Sequence, residues 1–174
     1  MLQDGINLFF YMKNMLVHFT AYNYWANQQL VKGLLKLTEE QLDKPLGTGV
    51  ATIRSTVYLL WQEESAWYQR LQLTEKITDP TIDFQGPFSA ACDALLKQSR
   101  LLEEWVQQAN QAKLNHTIAY TLKKSEHYKM AVQDVIIQVC NHSTFYRGQL
   151  VYMLGLSGAG KLPVTDYSRF KPKK

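Results

Sequence analysis

Cysteine, histidine and single-signed charge are all scarce in this chain of 174 residues, and each shortage excludes a class of protein. Its two cysteines, Cys92 and Cys140, are too few for a disulfide scaffold and lack C-x-x-C spacing, so both read as buried thiols. No apolar run approaches the ~18 residues of a transmembrane helix. The short stretch from Leu8 to Met12 follows Asp4, ends at Lys13 and precedes no small-residue cleavage site. No signal peptide and no membrane partner are therefore expected, and the cytoplasm is the expected address. The formal charge of +4 is confined to the end: Arg169, Lys171, Lys173 and Lys174 account for all of it, and the preceding residues are net neutral. A neutral body lacks the electrostatic footprint of a nucleic-acid binder.

What the chain does have is apolar mass, 46% of its residues, with 12% aromatic. At this length that suffices for one domain, taken as residues 1–168 with 169–174 as a basic tail, burying roughly two-thirds of its unfolded surface. Apolar residues recur in steps of three and four at Met15, Phe19, Tyr22, Ala26, Leu30, Leu34 and Leu37, predicting a helix from about Lys13 to Leu37. Thr38 and Gln41 then form a capping-box pattern, and Pro45, Gly47 and Gly49 a loop. A second helix, about Thr52 to Leu73, carries the stripe Ile53, Val57, Leu60, Glu64, Trp67 and Leu71. Thr74 to Pro87 is a loop long enough to cover another part of the molecule. A third helix, about Phe88 to Asn110, presents Ala91, Leu95, Leu102, Trp105 and Ala109. His116 to Thr121 and Glu126 to Ala131 have strand composition and pair across Lys123, Lys124 and Ser125 as a small hairpin. A fourth helix, about Val132 to Leu156, presents Val135, Val139, His142, Tyr146, Leu150 and Met153, and Gly155 and Gly158 end it. Four long helices without βαβ alternation or internal repeats predict an all-α four-helix bundle, with the hairpin before the last helix.

Few motifs point to chemistry. Gly155 to Lys161 satisfies G-x-x-x-x-G-K, but a helix precedes it, Leu162-Pro163 follows it, and the hydroxyl that holds magnesium is missing. Glycine capping of a helix end is the better account. No glutamate is followed by histidine three positions on, which excludes a carboxylate-bridged di-iron bundle. Of four histidines, His18, His116 and His127 read as surface or hairpin residues, whereas His142 falls on the apolar stripe of the last helix. Glu64 falls on the stripe of the second, where a carboxylate must be paired, protonated or solvated. Arg54, Arg70 and Arg147 are candidate partners, and a pocket holding both Glu64 and His142 would contain an acid–base pair.

Four segments together resemble the DinB-like four-helix-bundle family across roughly Leu16 to Phe170. They are Tyr22-Asn-Tyr-Trp25-Ala26-Asn27 with Leu30; Thr52-Ile53-Arg54-Ser55-Thr56 leading to Glu64 and Trp67; Asn141-His142-Ser-Thr-Phe-Tyr146-Arg147-Gly148-Gln149-Leu150; and Leu162-Pro163-Val-Thr-Asp166-Tyr167. The resemblance implies a bundle with nickel or zinc held by three histidines, one on the second helix and two spaced H-x-x-x-H on the fourth. Residues i and i+4 lie about 40° apart on a helix, so both imidazoles of such a pair point at one spot. In this chain the three positions fall on Leu59, His142 and Tyr146, so His142 is a remnant ligand. Leucine cannot coordinate, and tyrosine must first lose a proton with pKa near 10. The expectation is accordingly a protein without cofactor whose former metal cleft, lined by His142, Tyr146 and Glu64, binds a small molecule. Two alternatives stand beside it. One is a thiol transferase or metal-dependent hydrolase of the family's type; the other is a non-catalytic interaction protein in which Leu59 fills the metal's place. The resemblance also implies a homodimer.

Overall fold

Four long helices and one β-hairpin form the computed structural model, which describes residues 2–46, 51–123 and 126–171. The long helices are α1 (Leu2–Leu34), α3 (Ile53–Leu71), α4 (Phe88–Gln108) and α6 (Val132–Leu156). Between them lie the short α2 (Glu39–Asp43) and α5 (Gln111–Asn115), the hairpin strands β1 (Thr117–Lys123) and β2 (Glu126–Ala131), and finally a 3-10 turn at Tyr167–Arg169. The expected four-helix bundle with a hairpin before its last helix is present. The first helix starts at Leu2, 13 residues before the first position of its apolar pattern at Met15, and α5 has no sequence signal of its own. Gly47, Gly49, Lys124, Ser125, Lys173 and Lys174 lie outside the described residues.

Local chemistry sets the helix ends. Thr38 and Gln41 exchange the two hydrogen bonds of a capping box before α2, and Thr52 does the same with Ser55 before α3. At the end of α6 the Ala159 N–H donates to the Leu154 carbonyl and that of Gly158 to Gly155, with Gly158 at φ 77°. This is a Schellman motif, with Gly158, inside the Gly155 to Lys161 stretch, at its left-handed position. The end of α3 repeats the motif, but there Leu73 occupies the left-handed position at φ 55°.

The bundle has an uncommon connectivity. Arg147 of α6 meets Asn23 and Asn27 of α1, and Leu154 lies beside Gly33, so α1 and α6 run parallel. Ser143 and Met153 of α6 meet Glu64 and Thr56 of α3, so α3 runs the opposite way. Ile53 shares a core cluster with Phe88, and Leu71 shares one with Val106, so α4 runs parallel to α3. α1 and α3 each pack against α4 and α6. The helices that are neighbours in sequence, α1 and α3, therefore stand diagonally across the bundle. A parallel α3–α4 pair requires a connection that travels back the length of a helix, which is why Thr74 to Pro87 is so long. On its way the loop sets Phe84 edge-on against Tyr58 and Trp61, at 5.9 and 5.4 Å between ring centroids.

Apolar burial divides into two clusters. One holds Leu30, Leu34, Ile53, Leu60, Leu95, Leu150 and Leu154; the other holds Leu16, Trp67, Leu71, Leu102, Val106, Val135 and Val139. All six positions of the second-helix stripe are buried, Glu64 included. Elsewhere the stripes shift by a residue: Met15 is exposed while Leu16 is buried, and Trp105 is half-buried while Val106 is buried. The hairpin pairs Thr117 with Ala131 through Thr121 with His127, and a bulge follows Thr121. No helix among the described residues is long and apolar enough to cross a membrane.

Candidate functional site

Between the two apolar clusters lies a polar layer to which all four long helices contribute. Glu64, 1% exposed, accepts hydrogen bonds at Oε1 from Asn23 Nδ2 (2.8 Å), Asn27 Nδ2 (3.0 Å) and Ser143 Oγ (2.7 Å). At Oε2 it accepts from Ser99 Oγ (2.6 Å). Arg147, also 1% exposed, donates from Nη1 to Asn23 Oδ1 (2.5 Å) and Asn27 Oδ1 (3.0 Å), and from Nη2 to Thr144 Oγ1 (2.7 Å). The two asparagine amides thus stand between a buried carboxylate and a buried guanidinium, each offering its N–H to the one and its carbonyl to the other. Arg147 also lies over the Tyr22 ring, 5.4 Å from its centroid. Burial pulls its pKa below the usual arginine value, but a guanidinium so far from neutrality stays cationic.

Of the three arginines considered for Glu64, Arg147 is the partner, and it acts through Asn23 and Asn27 rather than by direct contact. Arg54 instead pairs with Asp43 and Glu39 at the surface, and Arg70 lies over Trp67. The carboxylate's acceptor sites are filled from within the core. Glu64 is therefore a structural group of the bundle's centre, not a lining residue of an open cleft.

His142 is elsewhere. Burial on α6 follows Val135, Val139, Ser143, Arg147 and Leu150, so steps of four carry the buried line past His142 and Tyr146, both of which are half-buried. This corrects the stripe read from sequence, in which a step of three after Val139 places His142, and with it Tyr146, inward. The neighbour of His142 is Glu63, not Glu64: Nδ1 lies 3.7 Å from Glu63 Oε2, with the two side chains 36% and 37% exposed. Nδ1 itself is buried and has no hydrogen-bond partner among the described residues. The imidazole stacks on Phe145 at 6.1 Å and meets the edge of Tyr146 at 5.3 Å. Desolvation first, and the negative charge of Glu63 second, raise the pKa of the Tyr146 phenol.

Leu59 sits one helical turn before Glu63 and is 43% exposed. It borders the face rather than plugging a sealed cavity. The donors gathered here are one imidazole, one carboxylate and a phenol that holds its proton more firmly than usual. No group of three or more His, Cys, Asp and Glu side chains suited to a metal ion occurs among the described residues. This set does not fit the three-histidine chelate implied by the resemblance, since two of its positions supply no ready donor.

Several functional-looking residues escaped the sequence analysis. Asn23 and Asn27 are spaced i, i+4 beside the apolar stripe of α1, and Ser99 fills the gap between Leu95 and Leu102 on α4. A pair of asparagines at that spacing on a buried face, opposite a stripe glutamate, was the available signal. Glu63 had none, because only the packing of α3 on α6 decides which of two adjacent glutamates faces His142. The closing segment also belongs to the fold. Tyr22 Oη donates to the Thr165 carbonyl at 2.8 Å, and Tyr167 and Phe170 pack edge-on against Tyr22.

Comparison with known proteins gives one consistent result. The sequence model of the DinB family matches residues 12–173. Protein DinB of Bacillus subtilis (strain 168) is 25% identical over 158 residues, which are 86% of this chain and 89% of that one. Among solved structures, YfiT from Bacillus subtilis superposes with a TM-score of 0.67 at 15% identity, covering 85% of this chain and 89% of that one. That protein is described as a probable metal-dependent hydrolase with an unusual four-helix bundle topology.

Proposed function

The chain belongs to the DinB family, and from that premise we propose that it is a small-molecule-binding member that works without the family's metal. The ligand is received on the face formed by Glu63, His142 and Tyr146. One observation carries this reading: the buried His142 Nδ1 lacks a partner and stands 3.7 Å from the Glu63 carboxylate. A buried polar atom without a partner is costly, and a ligand donor would relieve that cost. A single nitrogen about 2.8 Å from both acceptors would see them about 80° apart, which an amine with two N–H bonds satisfies. The negative charge of Glu63 favours a protonated amine, and the rings of Phe145 and Tyr146 favour an apolar or aromatic body attached to it.

The expected metal content of protein purified without chelators is below about a tenth of an equivalent by elemental analysis, where a tightly held structural or catalytic ion would be stoichiometric. Stoichiometric nickel, zinc or iron would overturn the metal-free part of the reading. For the ligand, a panel of aromatic primary amines is screened by thermal shift. Glu63→Gln and His142→Ala should each abolish a stabilisation that Tyr146→Phe only weakens. Stabilisation that persists in Glu63→Gln removes the amine assignment.

A second reading draws on the same pair. Imidazole beside carboxylate is an acid–base arrangement, suited to a hydrolase or a thiol transferase. Turnover of a thiol conjugate that is lost in His142→Ala would favour it.

A further inference from the structure

A groove runs between the last turns of α1 and the closing segment that follows α6. Two clefts of about 390 and 420 Å³ share Gly33, Lys36, Lys161 and Pro163, and so form one continuous space. Its floor is one face of α1 and the turn after it, with Trp25, Gln29, Lys32 and Lys36 at steps of three and four; its wall is Lys161 to Val164 with Arg169. Three contacts fix that wall. Pro163 rests on Gly33, where an added Cβ would stand 3.6 Å from the proline Cδ. Gln41 Nε2 donates to the Ser157 carbonyl at 3.1 Å, and Tyr22 Oη to that of Thr165 at 2.8 Å. The groove is therefore built by the fold itself.

Lys32, Lys36, Lys161 and Arg169 line this groove, and no acidic residue lines either cleft. None of the four forms an ion pair among the described residues, whereas Arg54 and Arg100 at the surface each have a carboxylate partner. The dipole of α1 accounts for a cation in its last turn, which Lys32 supplies, but Lys161 and Arg169 come from beyond α6. Four cations drawn onto one groove from separate segments repel one another, and a bound anion removes that cost. At one end the indole of Trp25 offers an apolar plate. It is backed by Phe170 at 5.7 Å and Tyr22 at 6.1 Å between ring centroids.

We propose that the groove binds a nucleoside polyphosphate, with the base against Trp25 and the phosphates among Lys32, Lys36 and Lys161. Trp25 and Lys32 are seven residues apart, about 10 Å along the helix axis, which suits the reach from a base across its ribose to a chain of phosphates. Aromatic rings stack on any base, and lysines hold phosphate oxygens as mobile point charges. Lys161 is the lysine of the Gly155 to Lys161 stretch, but here it acts as a side-chain cation beside α1. The strand, following helix and hydroxyl that a phosphate loop requires are not needed for that. A neutral body with one local cationic groove favours a small anion over a long one. Neither Glu63, His142 nor Tyr146 lines the groove, so this site is independent of the ligand face described above.

Titration calorimetry of the full chain with magnesium-free ATP tests it. ATP should bind with a Kd below about 100 μM at low salt, weakening about tenfold when salt is raised from about 50 to about 200 mM. Tripolyphosphate should bind about tenfold more weakly than ATP, and adenosine should show no binding at millimolar concentration. Lys36→Glu/Lys161→Glu should weaken ATP at least about 50-fold with an unchanged circular dichroism spectrum, since both side chains are exposed. Trp25→Leu should bring ATP down to the affinity of tripolyphosphate. An absence of ATP binding at millimolar concentration overturns the proposal, as does binding that the double variant leaves intact. Tripolyphosphate that binds as tightly as ATP removes the base from it. A short DNA duplex or phosphatidylserine vesicles that bind and displace ATP would overturn the assignment to a small ligand.

Discussion

Removing the charge of Arg147 tests whether the central polar layer behaves as one unit. In Arg147→Met the side chain keeps most of its length, but Asn23 Oδ1, Asn27 Oδ1 and Thr144 Oγ1 lose their donors at 2.5, 3.0 and 2.7 Å. Glu64 is left 1% exposed with no counter-charge nearby in the layer. Hydrogen bonds to a charged group contribute about 1.5–3 kcal/mol each, and breaking a buried pair from one side costs about 3–5 kcal/mol. About 4 kcal/mol is the expected loss, since the orphaned asparagine carbonyls can turn only within a filled core. In a protein of this size that is a fall in melting temperature of roughly 8–16 °C. Glu64→Gln should cost about 3 kcal/mol: four donors that met a carboxylate now meet an amide, and its NH₂ end faces Ser99 Oγ. If the two charges were independent, Glu64→Gln/Arg147→Met would cost about 7 kcal/mol. With Asn23 and Asn27 joining them, the double variant should cost only about 4 kcal/mol, a coupling of about 3 kcal/mol. Urea unfolding followed by tryptophan fluorescence measures all four proteins. Losses that add to within about 0.5 kcal/mol would refute the description of the layer as one network.

Other expectations follow from individual groups. Hydrogen bonding to Arg54 holds the Asp43 carboxyl below its ordinary value of 3.8. A depressed folded-state pKa contributes stability that is present above that ordinary value and lost as pH falls through the lowered one. Arg54→Leu should therefore lower the urea midpoint at pH 7 and converge on the wild type near pH 2; a gap that persists at low pH would count against the ion pair as its source. Leu73 occupies the left-handed position of the motif that ends α3 at φ 55°, so Leu73→Gly should raise stability by about 0.5–1 kcal/mol, measured the same way. A loss instead would mean that the exposed leucine makes contacts worth more than its backbone strain. Burial pushes the Cys92 thiol up to about 12 and that of Cys140 higher still. Neither should react with an aromatic disulfide reagent at pH 8 until urea unfolds the chain, and rapid labelling of the native protein would contradict their burial.

The regular elements were legible because their signals are local. Thr38 with Gln41 and Thr52 with Ser55 are capping patterns read within four residues, and each closes in the structure as two reciprocal bonds. The bounds of α6 came out as Val132 and Leu156, set by the strand before it and the Gly158 turn after it. Periodicity was less exact, because 3.6 residues per turn lets a stripe drift by one position. On α1 it named Met15 where Leu16 is buried, and on α6 it named His142 and Tyr146 where Ser143 and Arg147 are buried. That drift is the reason the candidate site was misassembled. Serine and arginine do not look like core residues, while histidine and tyrosine do, so polarity hid the true inward line.

The sequence alone determined the helices, the hairpin and the confinement of its net charge to the last six residues. These depend on residue type and short spacing, which no distant contact alters. Tertiary structure alone decided that α3 and α4 run parallel, which turns the Thr74 to Pro87 loop into a strap along the bundle. It also decided that Glu64 joins Arg147 through two asparagines, and that Glu63 rather than Glu64 meets His142. Adjacent residues on a helix point about 100° apart, so one glutamate enters the core and its neighbour reaches the surface. Which of them does so depends on how one helix is rotated against another, and that rotation is set by the packing of all four together.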